Sequence, residues 1–367
     1  MTKREEQLLE WIREDPLISQ QELAQRAGIT RSSVAVHVSN LMRKGLIRGR
    51  GYLLSEGAYV AVVGAVNVDI GGTPERSLVA GDSNPGRVTV TLGGVGRNIA
   101  ENLARMGRRV LMVTALGEDA HAMQIQRSCR ELGMDLSHSL TVPEGRTSTY
   151  LCLNDANGEI VGAVSDMAIY EALTPAYLAS KLEVLNHAAL VVLDANLPRE
   201  SIAFLAESLK APLFADPGSI AKADRLRGAL PRLVAMKPNR PEASLLTGVD
   251  IRTDDDLDRA AGAFFALGLK NVFISLGSRG VYFHDGHERG ILPCFDTPVI
   301  NTTGCGDAFL ASAACAWQDG LSLREMARHG LAASAICART DSAVSPQLTP
   351  QAIQAMLHNA SLKEEPL

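Results

Sequence analysis

From Tyr59 onward the chain alternates apolar strands with helical stretches, and this alternation constrains the fold more than any other feature. The predicted strands lie in six apolar segments: YVAVVGAVNVDI, RVLMVTALG, ALVVLDAN, APLFADPG, RLVAMKPN and NVFISLG. Several are separated by helical stretches, such as GRNIAENLARMG, HAMQIQRSCRELG and DLDRAAGAFFALG. Strands that are apolar on both faces and alternate with helices are typical of a parallel sheet covered on both sides. The pattern therefore predicts a three-layer α/β/α sandwich.

Two other segments lack this fully apolar pattern. RVTVTLGG and TSTYLCLNDANGEIVGAVSD mix polar with apolar residues, and NDANGE has the composition of a turn. They predict a small antiparallel β-sheet that lies over the site as a lid. Asp166, near the end of the second segment, either reaches the substrate or is only a residue of the lid.

The first 56 residues have the pattern of three short helices and a hairpin. Leu8 and Ile12 are spaced as on the inner face of a helix, and Ser19 with Glu22 forms a capping box that begins a second helix. TRSSVAVHVSNLMRKG predicts the third helix, and LIRGRGYLL predicts the hairpin. Three helices followed by a hairpin are typical of a winged helix-turn-helix domain.

The charges of this segment favour DNA binding. From Arg31 to Arg50 the chain has five basic residues and no acidic one. The third helix would enter the major groove, and the wing would meet phosphates. The residues predicted to contact DNA are Arg31, Ser32, Ser33, His37, Arg48 and Arg50. The alternative is a small helical dimerisation module with solvated basic residues. We assign residues 1–56 to the DNA-binding domain and residues 59–360 to a second domain.

Composition limits the remaining classes of protein. The net charge of −5 argues against a chain that binds polyanions over its whole surface, but it leaves local basic patches open. The charged N-terminus has no apolar signal-peptide core, and no later run is long and apolar enough to span a bilayer. The six cysteines are scattered without a C-x-x-C pair, as is typical of reduced thiols. These features predict a cytoplasmic protein without a membrane partner.

Polar residues directly follow several predicted strands, where ligands of parallel sheets bind. VNVDIGG ends the first apolar segment, and a carboxylate there suits two neighbouring sugar hydroxyls. LGGVGRNIAENLARMG is a glycine turn leading into a helix, and it lacks the lysine of a P-loop. Its glycines would let the backbone approach a small polar substrate. The predicted substrate-binding residues are Asn67, Asp69, Gly93, Gly94, Asn98 and Asp166.

NTTGCGDAF, residues 301–309, is a second glycine turn before a helix. Backbone N–H groups at such a turn, together with the positive helix end, favour an anion. Asp307 would repel a bound phosphate, but it suits a phosphoryl transfer in which a carboxylate takes the proton of the accepting hydroxyl. The alternative is that Asp307 only caps the helix.

Two further segments suit a metal ion and a nucleotide. KPNRPEASLLTG places Asn239 and Glu242 three residues apart at a helix start, so that both face the same way. Their oxygens suit a hydrated Mg²⁺ near phosphates. SLGSRGVYF predicts a strand, a turn containing Gly277 and Gly280, and another strand, which could run under a nucleotide. Asp216, in FADPGS, either orients Mg²⁺ or belongs to a plain turn.

Residues 59 to about 360 resemble the ribokinase-like sugar and nucleoside kinases of the PfkB family. The resemblance is carried by GGVGRNIAENLARMG, KPNRPE and NTTGCGDAF, in that order. It implies a ribokinase-like fold, Asp307 as catalytic base, and an anion hole of backbone N–H groups from Gly304, Cys305 and Gly306. It also implies ATP, bound by Asn239, Glu242, Ser275, Gly277, Gly280 and Thr303, with Asn239 and Glu242 acting through Mg²⁺. Many members bind a monovalent cation such as K⁺, but Asn301 stands where they have an acidic residue.

Within this family, DSNPGRVTVTLGGVGRNIAENLARMG and TSTYLCLNDANGE are most similar to the pseudouridine kinases. The resemblance implies phosphorylation of the 5′-hydroxyl of pseudouridine. Adenosine, inosine and ribose remain alternatives, because Asp69 would hold any ribose. A different class of function is a transcription regulator whose kinase-like domain senses a nucleoside. Dimeric helix-turn-helix proteins and the pairing of lid strands in this family both favour a homodimer.

Overall fold

The computed structural model describes residues 1–48, 58–156 and 159–359. Its N-terminal domain contains three helices: α1 (Lys3–Glu14), α2 (Gln20–Ala27) and α3 (Arg31–Arg43). The predicted capping box of Ser19 and Glu22 is present at the start of α2. A second capping box, of Thr2 and Glu5, begins α1. Most of the predicted wing, including Arg50, lies outside the described residues.

The three helices enclose a small apolar core of their own. It contains Leu8, Ile12, Leu23, Val34 and Leu41, all fully buried. These positions recur at the helical spacing of the sequence, so each helix turns one apolar stripe inward. The segment therefore forms the helical part of a helix-turn-helix domain.

The second domain contains strands and helices in alternation. Its strands are β1 (Tyr59–Val63), β2 (Asn67–Pro74), β3 (Gly86–Gly93), β4 (Arg109–Val113), β5 (Ala115–Leu116), β6 (Leu140–Thr141), β7 (Thr149–Asn154), β8 (Ile160–Asp166), β9 (Leu190–Asp194), β10 (Leu213–Asp216), β11 (Leu233–Met236), β12 (Asn271–Ser275), β13 (Val281–His284) and β14 (Arg289–Leu292). Its α-helices are α4 (Val95–Arg105), α5 (Ala120–Glu131), α6 (Pro175–Ala179), α7 (Leu182–Asn186), α8 (Arg199–Ser208), α9 (Ile220–Ala223), α10 (Arg240–Thr247), α11 (Asp254–Ala266), α12 (Cys305–Gln318), α13 (Leu323–Ala338) and α14 (Pro350–Asn359).

The large sheet confirms the predicted sandwich. Its strand order is β14-β13-β12-β11-β10-β9-β1-β4, and the pairs from β12 to β4 are parallel. Along β1, Val60 and Val62 pack into one apolar core, while Ala61 and Val63 pack into the other. This alternation explains why the strand is apolar throughout, since both faces are covered. The sheet is not wholly parallel, because β13 and β14 add antiparallel strands at one edge.

A smaller four-stranded sheet has the order β3-β2-β7-β8. The antiparallel pairing predicted around the turn NDANGE is confirmed for β7 with β8. β3 pairs antiparallel with β2, which was not predicted in this sheet, and β2 and β7 are parallel. The segment YVAVVGAVNVDI, which we predicted as one strand, is two, because β1 lies in the large sheet and β2 in the small one. Gly64 permits close packing at the junction: a Cβ there would lie 2.4 Å from a carboxylate oxygen of Asp194.

The search for membrane-spanning helices gave none. Over residues 1–48, 58–156 and 159–359, every helix is too short or too polar to cross a bilayer.

Candidate active site

The predicted sugar-binding pair lies at the start of β2, just beyond the carboxyl end of β1. The Asn67 amide donates a hydrogen bond to the Asp69 carboxylate. Burial raises the pKa of Asp69 to about 6, although the hydrogen bond from Asn67 and the charge of Arg97 oppose this rise. The carboxylate is therefore partly desolvated and already oriented, as a group that receives sugar hydroxyls should be.

The glycines of the first turn are required by close contacts with this pair. A Cβ on Gly93 would lie 2.1 Å from an Asp69 carboxylate oxygen. Gly94 has φ +96°, and a Cβ there would lie 2.8 Å from the Asn67 side-chain oxygen. No side chain larger than hydrogen fits at either position without displacing the two polar groups. The turn thus packs β2 against the start of α4.

Asp307 is the third residue of α12, and a hydrogen bond connects its side chain to α4 on the other side of the site. Asn98 of α4 donates its amide to Asp307 Oδ2 at 2.8 Å, although the two residues are 209 positions apart. Burial raises the pKa of Asp307 to about 8, and the Asp216 carboxylate adds to the rise, while Asn98 and Lys237 oppose it. A base with a pKa near the working pH transfers protons efficiently. The N-cap residue of α12 is Gly304, and no side chain caps the helix. The structure therefore does not support the alternative that Asp307 only caps the helix.

Lys237 is a site residue that the sequence reasoning missed. Its ammonium group is 3.4 Å from Asp216 Oδ2, and the side chain is buried. Burial opposes its charge, but the carboxylates of Asp216, Glu242 and Asp307 outweigh that effect and raise the pKa of Lys237. A Cβ on Gly306 would lie 2.8 Å from Lys237 Nζ, so the absence of a side chain at Gly306 leaves room for the lysine beside the start of α12. The available signal was a lysine that directly follows an apolar strand, inside the motif KPNRPE.

Asn239 and Glu242 begin α10 and form a capping box. The Asn239 N–H donates to Glu242 Oε2, and the Glu242 N–H donates to Asn239 Oδ1, both at 2.9 Å. Burial raises the pKa of Glu242, and the Asp216 carboxylate adds to it. The side chains do share one face, as predicted from their spacing, but each uses one oxygen for the helix start.

The donor set fits a magnesium ion bound mainly by phosphates and water. No group of three or more acidic, histidine or cysteine side chains with metal-binding geometry occurs among the described residues. However, Asp216 Oδ2 is buried, and although it faces the Lys237 ammonium group at 3.4 Å, it receives no well-directed hydrogen bond. Mg²⁺ keeps several waters and takes one or two carboxylates. Asp216 and Glu242 are therefore the carboxylates that would hold it. Asn239, which was predicted beside Glu242 at this ion, already accepts the Glu242 N–H at its Oδ1, and its role there stays a prediction.

The predicted ATP-binding residues Ser275, Gly277 and Gly280 lie at or just beyond the carboxyl end of β12, whereas Thr303 lies in the turn before α12. The Ser275 N–H donates to the Pro238 carbonyl at 2.9 Å, which brings the end of β12 beside Asn239. Gly277 and Gly280 follow in a tight turn with φ +65° and +98°. Thr303 is exposed, and its N–H donates to Asn301 Oδ1 at 2.9 Å.

The turn before α12 differs in one respect from the predicted anion hole. The Cys305 N–H donates to the Thr302 carbonyl at 3.2 Å, so this group is already engaged in the turn. The Cys305 side chain points away from Asp307, with Sγ 3.4 Å from the Ser334 carbonyl oxygen. A hydrogen bond with the neighbouring Cys337 thiol lowers the pKa of Cys305. This position supports the interpretation that the thiol takes no part in the chemistry.

Asp166 lies on the outer strand of the small sheet. It is exposed and paired with Thr149, which in turn pairs with Val68 beside Asp69. Two strand spacings of about 4.8 Å each therefore separate it from β2. The structure places Asp166 in the lid and does not bring it into contact with Asp69.

The predicted DNA-contacting residues do not share one environment. Arg31 and Ser32 are exposed at the start of α3, whereas Ser33 is half-buried. Both serine hydroxyls hydrogen-bond to Thr30, the N-cap residue. His37 is half-buried. Arg48, predicted on a free wing, instead forms an ion pair with Asp135 of the second domain, at 3.2 Å.

The fold and the aspartate at the start of α12 define a ribokinase-like phosphotransferase domain. The family model of the pfkB carbohydrate kinases matches residues 58–350. The chain therefore belongs to the PfkB family, whose members transfer phosphoryl groups to hydroxyls of sugars and nucleosides. The resemblance stated from the sequence is confirmed. A winged helix-turn-helix DNA-binding model matches residues 1–48, so the chain carries such a domain at its N-terminus.

Individual kinases are similar to this chain over most of its length. The chain is 35% identical to an uncharacterised sugar kinase of Escherichia coli, YeiI, over 95% of this chain and 97% of the relative. It is also 35% identical to the pseudouridine kinase of Escherichia coli, over 84% of this chain and 99% of the enzyme. Among solved structures, the Arabidopsis thaliana ribokinase complexed with ribose and ATP superposes with a TM-score of 0.75 at 25% identity. That superposition covers 82% of this chain and 99% of the ribokinase.

Proposed function

We propose that the protein is an ATP-dependent kinase of the 5′-hydroxyl of a nucleoside, with pseudouridine as its substrate. The observation that carries the proposal is the hydrogen bond between Asn98 and Asp307. It connects the helix that follows the sugar-binding turn to the candidate base. A ribose held by Asp69 and Asn98 would thus present its primary hydroxyl near a carboxylate of raised pKa.

In the proposed reaction Asp307 accepts the proton of the 5′-hydroxyl as the oxygen bonds to the γ-phosphorus of ATP. The bond from that phosphorus to the β–γ bridging oxygen breaks, and ADP leaves. Lys237 and the positive end of α12 stabilise the negative charge on the transferring group. Mg²⁺, when bound, neutralises phosphate charge. Asn67 and Asp69 fix the ribose, and the small sheet excludes water that would otherwise hydrolyse ATP.

The choice of pseudouridine rests on the relatives. The Escherichia coli pseudouridine kinase aligns over nearly its whole length, and the Arabidopsis ribokinase structure holds ribose and ATP. Ribose, adenosine and inosine share the sugar that Asp69 would bind, so they are the competing substrates. The base of the nucleoside must therefore be distinguished by groups outside the ribose pocket.

A kinase assay against a panel of substrates tests this proposal. With ATP and Mg²⁺, we expect the highest kcat/KM on pseudouridine, compared with uridine, adenosine, inosine and ribose. High turnover on ribose and none on pseudouridine would reject the substrate. The same assay in potassium and in tetramethylammonium buffers tests the monovalent cation that the family resemblance implies.

Substitution of Asp307 tests the assigned base. We expect Asp307→Asn to lower kcat by roughly 10²–10⁴-fold, the range for a lost general base. Asp319→Asn is a matched control, because Asp319 lies just beyond the other end of α12 and pairs with Arg108 at the surface. Near wild-type turnover in Asp307→Asn would refute the assignment.

We further propose that the N-terminal domain binds DNA. The support is the match to the winged helix-turn-helix model and the exposed Arg31 and Ser32 on α3. A regulator of this kind, with access to ATP and DNA, would act in the cytoplasm. Selection of genomic fragments tests the proposal: it fails if no fragment is retained better than random DNA at physiological salt.

We also propose a homodimer that forms through the small sheet. One row of that sheet places Val90, Ile70, Leu151 and Val164 side by side. Three of the four are exposed, and Val164 is 65% exposed. Their face is opposite to that of Asp69, because adjacent residues of a strand point to opposite sides. A second copy of the lid would cover this apolar row.

A further inference from the structure

Two arginines of the N-terminal domain pair with carboxylates of the kinase domain. Arg43 Nε lies 2.6 Å from Glu183 Oε2 at the start of α7, and Arg48 Nη2 lies 3.2 Å from Asp135 Oδ2. We call these two ion pairs the clasp. Lys44 is also 3.7 Å from Glu183, but its closer partner is Glu5 of its own domain, at 2.8 Å. Lys44 therefore stays neutralised whether or not the domains touch.

The contact between the domains is close at one point and open at another. A Cβ on Gly45 would lie 3.0 Å from Val184, whose carbonyl also accepts a hydrogen bond from Tyr59. Beside this point lies a cavity of about 220 Å³ between the domains, lined in part by Met42 and His138. Partly exposed ion pairs contribute little free energy each. The docked arrangement is therefore held weakly enough to be exchanged for another partner.

Arg43 lies on the face of α3 that would enter a DNA groove. It follows Ser32 by eleven residues and Val36 by seven, which are close to three and two helical turns. Ser32 and Val36 are both exposed. In the docked arrangement, the carboxylates of Glu183 and Asp135 thus occupy places where DNA phosphates would meet Arg43 and Arg48.

We propose that the kinase domain and DNA compete for these two arginines, so that the clasp holds the N-terminal domain in a state that binds DNA poorly. The inference rests on the proposed DNA binding. Release of the clasp frees two cations for phosphates and removes two carboxylates that would repel them. DNA, with its closely spaced phosphates, outcompetes single carboxylates for these arginines at low salt, because protein binding releases the counterions condensed on the DNA.

The clasp lies far from the chemistry of the kinase. It meets the domain near Tyr59, where β1 begins, whereas Asp69 and Asp307 lie beyond the carboxyl ends of the strands. The catalytic site is thus complete in the docked arrangement. Opening the clasp should change DNA binding and leave phosphoryl transfer unchanged.

The test compares two double variants of the full chain. Glu183→Gln with Asp135→Asn opens the clasp. Glu325→Gln with Asp250→Asn removes the same amount of charge from ion pairs elsewhere on the surface. We expect the clasp variant to bind a labelled DNA duplex roughly two- to thirtyfold more tightly than the control, from two partly exposed ion pairs. Both should keep wild-type kcat/KM for the nucleoside, which also reports correct folding.

Hydrogen exchange of the backbone over residues 182–187 provides a second readout. We expect faster exchange there in the clasp variant, and in the wild type after DNA is added. Equal DNA affinity of the two variants overturns the competition, even if exchange rises. Unchanged exchange overturns the role of the ion pairs in docking. If no form of the protein binds DNA at low salt, the proposed DNA binding fails together with the competition, while exchange still reports on docking.

Discussion

At the scale of single residues, the charge balance around Asp307 sets how the site can work. Asp307, Asp216 and Glu242 come from three different elements and surround one buried ammonium group, that of Lys237. Burial, and after it the repulsion from Asp216, raises the pKa of Asp307, and Lys237 limits the rise. The lysine therefore favours the ionised form of the base, which burial disfavours.

Removal of Lys237 should move the acidic limb of the pH profile. The base must be ionised to accept a proton, so kcat/KM falls as the pH drops through the pKa of Asp307, which is about 8. Without the ammonium group, Lys237→Met should shift this limb upward by about one pH unit or more. Asp216→Asn, which removes a neighbouring negative charge, should shift it downward. Limbs that coincide in both variants and the wild type would contradict the electrostatic account.

The thiol of Cys305 should be dispensable. Its Sγ faces the Ser334 carbonyl and the Cys337 thiol between α12 and α13, and only its backbone lies at the turn. We expect Cys305→Ala to keep more than about half of the wild-type kcat, because alanine leaves the backbone of the turn in place and removes only a thiol that contacts the Ser334 carbonyl. Complete loss of turnover, with the fold intact by circular dichroism, would instead assign chemistry to the thiol.

At the scale of elements, the start of α12 depends on a backbone that only glycine tolerates. Gly304 has φ +79°, and a Cβ there would lie 1.9 Å from the Ala343 carbonyl oxygen. The turn before α12 is thus packed directly against the loop that follows α13. Its shape is fixed by this contact as much as by its own dihedral angles.

Comparing substitutions at Gly304 and Gly320 separates the cost of a steric clash from the cost of a left-handed backbone conformation. Gly320, just past α12, has φ +74° with open space around its Cβ position, so Gly320→Ala should cost only about 1–2 kcal/mol of unfolding free energy. Gly304→Ala adds the clash and should cost more. It should also lower kcat, because Gly304 precedes the helix that carries Asp307. Equal unfolding free energies and equal kcat, measured by urea titration and kinase assay, would show that the contact with Ala343 yields easily.

At the scale of the whole molecule, the proposed dimer should depend on one face of the lid. Val164→Asp places a charge in the apolar row, so we expect it to convert dimers to monomers in light scattering after size-exclusion chromatography. Ala163 is exposed and adjacent to Val164 where the pairing with β7 is regular, so it points to the other side, and Ala163→Asp serves as the control. A monomeric wild type, or a dimer that survives Val164→Asp, would reject this interface.

Much of the architecture could be predicted because it follows from local patterns. Apolar strands covered on both faces, the capping box of Ser19 and Glu22, and the glycine turns before α4 and α12 all depend on neighbouring residues. Local hydrogen bonds and side-chain periodicity leave a direct trace in the sequence. Even so, the same patterns did not show that β1 and β2 separate into two sheets, since a short break between apolar residues resembles a continuous strand.

The sequence by itself thus determined the two kinds of domain, the sandwich and the position of the candidate base. Only the tertiary structure decided which distant groups meet. It brought Asn98 to Asp307, placed Lys237 among three carboxylates, and paired Arg48 with Asp135. The physical reason is that such electrostatic contacts depend on strand order and on how the two domains pack, and neither is recorded in the spacing of residues along the chain.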